Sequence, residues 1–159
     1  MSRLGNTLAR LEWAVIGLLL ALLTVVVTIQ VVSRNTGFYI EWVEDVALLL
    51  LVWKVFLASP LAIRHGSHYV VILFGTPPRP LDVALTVLAV FVTVVVLLVL
   101  LWKGGELAWQ LRFRLSGAGE ISMLAYYAAM PVSAVLSLFH LAETLVGGTV
   151  PLQSGKQDA

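Results

Sequence analysis

Glu41, Glu44 and Asp45 stand at i, i+3 and i+4, so a helix through them projects three carboxylates from one side. Such a set can complement the dipole at a helix start, or offer a docking contact to an arginine or lysine of a partner. A catalytic carboxylate pair is the weaker reading, because neither a nucleophile nor a metal-ligand set accompanies it. Lys54 comes nine residues after Asp45, about 13 Å along a helix axis and half a turn around it, where the acidic set cannot neutralise it. In apolar surroundings that cation calls for a structural pairing, or for a role in moving ions or substrate. The three histidines are His65, His68 and His140. Haem or metal held by His140 with His65 or His68 is geometrically allowed, although no carboxylate is placed along the sequence to orient the rings.

Other chemistries find no residues to carry them. There is no Gly-rich phosphate loop, no Ser-His-Asp arrangement and no H-E-x-x-H motif. A self-sufficient proton-coupled exporter needs an acid inside a helix, yet Glu12, Glu41, Glu44, Asp45 and Asp82 fall at the ends of apolar runs and Glu143 near the end of the last. The expectation is therefore no enzyme, no metal and no cofactor of the chain's own. A haem-binding redox subunit is the competing reading.

The elements that must position these residues are four apolar runs. They lie at about Trp13 to Ser33, Val43 to Ile63, Leu81 to Lys103 and Ile121 to Val146, each long enough to cross about 30 Å of hydrocarbon as a helix. The first is too long for a signal-peptide core and lacks a small-x-small cleavage pattern, so it reads as a retained span. Arg34 to Gly37 turns the chain, with Phe38, Tyr39 and Trp42 at interface depth. The polar connector Arg64 to His68 leads through a short apolar piece to Pro77, Pro78 and Pro80, which stop one helix and start the next. Gly104 to Leu115 carries Leu107, Leu111 and Leu115 at helical spacing, either as an extra interfacial helix or as a prolongation of the third. The fourth run contains Pro131 and small residues, among them Ala125, Ala129, Ser133 and Ser137, that permit close helix contact. Gly147 and Gly148 end it, and 147–159 reads as a disordered tail.

The fold class expected is thus all-α, a single four-helix transmembrane domain over residues 1–159. Composition agrees: 60% of residues are hydrophobic and 12% charged, against about 25% charged in a soluble domain. A net charge of +1, with no dense basic cluster, sets nucleic acid aside and leaves lipid as the bulk partner. Arg3, Arg10, Arg64, Arg79 and Lys156 on one side, against Arg34, Lys103, Arg112 and Arg114 on the other, favour both termini in the cytoplasm by a slight margin.

At the second run the residues themselves resemble a known family. Arg34, Glu41-Trp42-Val43-Glu44-Asp45, Trp53-Lys54-Val55-Phe56-Leu57-Ala58 and Ala62-Ile63-Arg64-His65-Gly66-Ser67-His68, with the later Tyr127 and Pro131, look like the small membrane subunit (DctQ-type) of TRAP transporters. Three positions depart from the pattern: Asp45 replaces a usual Glu, Lys54 stands where an apolar residue is usual, and Ile72 stands near the place of an Asp. The resemblance implies a bacterial inner-membrane, sodium-driven transporter of an organic acid, built from this subunit, a large membrane subunit and a periplasmic binding protein. It also implies that sodium and substrate sites belong to the large subunit, and that this chain is a scaffold. The partner-interface candidates are accordingly Arg34, Glu41, Trp42, Glu44, Asp45, Trp53, Lys54, Arg64, His68, Tyr127 and Pro131.

Overall fold

The computed structural model describes residues 3–37, 40–64, 79–117 and 121–146. Within them run five helices: α1 (Arg3–Thr36), α2 (Glu41–Arg64), α3 (Arg79–Gln110), α4 (Met123–Tyr127) and α5 (Ala129–Val146). Stretches of α1, α2 and α3, together with α4 and α5 taken as one, make four spans long and apolar enough to cross a membrane.

Helix ends differ from the apolar runs for local reasons. Hydropathy marks what lipid can cover, whereas a helix goes on wherever it finds a packing face. α1 begins ten residues before Trp13, at Arg3, because Gly5, Ala9 and Glu12 recur at i, i+4 and i+7 and are all buried. It ends at Thr36, whose hydroxyl donates to the carbonyls of Val32 and Ser33, and Gly37 then takes a φ of +80° that side chains resist. The stretch after Lys103 prolongs α3 to Gln110 rather than forming a separate interfacial helix. The fourth run divides at Ala128. Pro131 has no N–H for the carbonyl of Tyr127, four residues back, and its ring crowds that carbonyl, so α4 closes at Tyr127 and α5 opens at Ala129.

α2 and α5 form the middle of the bundle, with α1 against α2 on one side and α3 against α5 on the other. Burial follows that order: 33% of the best apolar window in α4–α5 and 22% of that in α2 are buried, against 6% in α3 and none in α1. The apolar core is small, with Ile63, Leu97 and Leu141 at its centre and Val94 and Leu138 packed on it. Leu88, Phe91, Val95 and Val99 of α3 and Leu18, Val25 and Ile29 of α1 are outwardly exposed. A continuous apolar exterior of this kind is stable in lipid and not in water.

α3 meets α5 closely at Gly104, where an added Cβ would lie 2.8 Å from Cβ of Met130. Gly104→Ala should therefore push the two helices apart and cost about 1–3 kcal/mol. Gly105→Ala, whose Cβ would meet nothing within 4 Å, should instead be neutral or stabilising by up to about 1 kcal/mol. Unfolding of the two variants in detergent checks the sign at each position.

Candidate functional site

The start of α2 is fastened to the segment between α3 and α4. Ser116 donates its hydroxyl to Oδ2 of Asp45, and the Tyr126 hydroxyl donates to the Asp45 carbonyl at 2.8 Å. Ser116 is held in place by its own backbone: its N–H donates to Ile121 O at 2.8 Å, and Met123 N–H donates to Arg114 O at 2.8 Å. Ser122 caps α4 by accepting from Leu124 N–H at 3.2 Å while donating to Arg112 O at 2.8 Å. Asp45 is buried at 8% exposure, so its carboxylate braces this loop instead of standing in water as part of an acidic cap.

Glu41 and Glu44, by contrast, are exposed. With Asp45 they line a cavity of about 810 Å³ whose other walls include Leu48, Phe56, Tyr126, Tyr127 and Met130. The cavity lies between α2 and α4–α5, acidic at one end of α2 and apolar along it. Two further bonds fix its walls: Trp53 Nε1 donates to Ala125 O at 2.9 Å, and Ser133 Oγ donates to Phe56 O at 2.7 Å. From that wall, Glu41, Glu44 and Leu48 continue along α2 into Leu51, Val55 and Ala58, and all six are exposed. Their alternating three- and four-residue spacing makes one straight row, the pattern by which a helix receives a second helix.

A second polar cluster lies deeper. His140 is fully buried and Glu12 is 4% exposed, and Nε2 of His140 lies 3.1 Å from both Glu12 oxygens. Nδ1 is 3.9 Å from Glu143 Oε2 and, among the described residues, has no hydrogen bond, as is true of Ser137 Oγ one turn earlier. The Glu143 carboxylate rests against Gly5, where it leaves no room for a Cβ. Glu12 and Glu143 thus gather around one ring and join α1 to α5. This corrects one expectation: a carboxylate does orient the His140 ring. Glu12 is distant in sequence, so spacing could not reveal the pair. The available signal was the seam Ala129, Ser133, Ser137, His140, whose four- and three-residue steps put the ring on the buried face of α5.

The remaining candidates are scattered. Arg34 is exposed in the last turn of α1, and Trp42 is exposed on α2. Lys54 is half-buried at mid-helix. Tyr127 lines the cavity and Pro131 sets the break beneath it. Arg64 is the last residue of α2, while His65, His68, Phe38 and Tyr39 lie outside the described residues. Near Ser116, the Arg112 guanidinium stacks over Trp109 at 4.1 Å and Phe113 at 4.4 Å. Among the described residues no three His, Cys, Asp or Glu side chains are grouped to hold a metal ion.

Four membrane-length spans among the described residues, with polar residues spent on fastening helix to helix and an acid-lined groove left open, define a multi-pass membrane protein. Residues 23–149 match the family described as tripartite ATP-independent periplasmic transporters, DctQ component. The chain belongs to that family and is the small membrane subunit of a TRAP transporter. The family is a transporter component rather than an enzyme family, part of a system with a large membrane subunit and a binding protein. No curated protein matches the chain.

Proposed function

We propose that the chain is the stationary scaffold of a sodium-coupled, binding-protein-dependent transporter of an organic acid in a bacterial inner membrane. The exposed row Glu41 to Ala58 on α2, with the acid-lined cavity beside it, is the observation that carries this reading. Row and cavity offer a second membrane subunit a straight seam and a polar anchor, whereas the exposed residues of α3 between Ala84 and Leu101 are all apolar and suit lipid. In this reading both termini are cytoplasmic, and the α1–α2 turn and the 112–120 loop face the periplasm, where they help dock the binding protein. The chain itself needs no cofactor, because sodium and substrate bind in the large subunit. Arg34, Trp42, Tyr127 and Pro131 act at or behind the partner-facing surface, Arg64 and His68 contribute to partner binding, and Trp53 positions α4 against α2.

The test is co-purification of the tagged chain with its large membrane subunit. Wild type should retain that subunit through detergent exchange. Leu51→Trp with Val55→Trp, which overfills the exposed row, should lower retention about tenfold or more. Leu88→Trp with Phe91→Trp on α3 should leave it unchanged. Recovery of the wild-type chain as a stable homo-oligomer with no large subunit would defeat the scaffold reading.

A further inference from the structure

Lys54 is not accounted for by the contacts within the bundle. It stands thirteen residues after Glu41 and ten before Arg64, about 15–20 Å from either end of α2. A four-carbon stem covers only part of that distance, so the ammonium cannot be handed to water by snorkelling alone. The side chain is half-buried, and among the described residues it has neither a hydrogen bond nor an ion pair. Carboxylates elsewhere in the bundle are engaged by other groups: Glu12 by His140, Asp45 by Ser116, Glu106 by Lys103.

The position of Lys54 indicates which side its counter-charge comes from. Leu51 and Ala58, three residues before it and four after, share its face of the helix and are exposed. Lys54 therefore flanks the row Glu41 to Ala58 as a charged residue flanks the apolar seam between two paired helices. α3 gives the contrast: Ala84 to Leu101 contains no ionisable residue, and lipid tails suffice to cover it. Lipid tails cannot satisfy an ammonium at mid-helix. From this geometry we propose that Lys54 forms an interhelical ion pair with a carboxylate of the large membrane subunit, whose helix lies along the exposed row of α2. The proposal rests on the scaffold reading and adds to it a specific contact.

The experiment uses the complex co-expressed and purified in detergent. Lys54→Met should lower retention of the large subunit at least about tenfold, and Lys54→Arg should keep most of it. A membrane-permeant carbodiimide should link wild-type Lys54 to an Asp or Glu of the large subunit: the activated carboxyl is attacked by the lysine amine, an amide forms and the urea leaves. With Lys54, Lys103 and Lys156 as the only lysines, mass spectrometry can assign the link. Purified alone, the Met variant should unfold at the same midpoint as wild type; a lowered midpoint means that Lys54 is engaged within the chain and overturns the proposal. Equal retention by wild type and Lys54→Met overturns the ion pair while leaving the scaffold standing, whereas failure of wild type to retain the large subunit removes the scaffold reading itself. Loss of bound phospholipid with unchanged subunit retention assigns the cation to a headgroup and likewise overturns the pair.

Discussion

His140→Ala should destabilise the isolated chain by about 3–5 kcal/mol, because it leaves the Glu12 carboxylate buried without its partner. The magnitude follows from burial: His140 is fully enclosed, Glu12 is 4% exposed, and both carboxylate oxygens lie 3.1 Å from one ring nitrogen. Glu12→Ala should cost a comparable amount by stranding the imidazole. Glu12→Leu combined with His140→Leu should recover much of the loss, since two apolar side chains of similar volume leave no polar group unsatisfied. That non-additivity is the signature of a direct pair, and a double-mutant cycle in detergent measures it. Glu143→Gln should cost less than either single change, as its carboxylate is 3.9 Å from Nδ1 and outside hydrogen-bonding range. If the single variants unfold within about 0.5 kcal/mol of wild type, the pair is not what holds α1 to α5.

The same pair shows where sequence reasoning stops. Four membrane-length helices were legible because lipid imposes long apolar runs, and Val43 to Ile63 gives α2 almost to the residue. The family was legible from the second-helix motif around Glu41, Trp53 and Arg64. Helix ends were less so: α1 continues back to Arg3 on the buried face Gly5, Ala9, Glu12, which hydropathy does not register. Side-chain partners across the bundle were not legible at all. Glu12 looked like a run-end acid and His140 like a ring with no carboxylate to orient it, since local position says nothing of a contact 128 residues away. Asp45 looked equivalent to Glu41 and Glu44 because all three share a helix side. Ser116, 71 residues further on, separates them by burying Asp45 and leaving the two glutamates exposed.

Ser116→Ala tests that separation, and its expected cost is about 1.5–3 kcal/mol, the range for a hydrogen bond to a charged group. The serine is buried at 9% exposure and Asp45 at 8%, so its loss leaves a largely buried carboxylate with one donor fewer. Ser116→Thr keeps the hydroxyl and should restore most of the stability. Strain should appear first in the loop itself, because the bonds Ser116 N–H to Ile121 O and Met123 N–H to Arg114 O depend on the loop staying seated on α2. Faster amide exchange in the Ala variant should therefore be confined to about 112–123, with α1 and the terminal half of α5 unchanged. The effect should also reach the partner surface. Tyr126 and the Asp45 backbone share a 2.8 Å bond on the wall of the acid-lined cavity, so a loosened loop shifts one wall against the other. Weaker retention of the large subunit by Ser116→Ala, restored by Ser116→Thr, would tie the loop to the interface. Uniform exchange across the whole bundle would mean instead that Ser116 contributes only to global stability and that Asp45 organises no distinct surface.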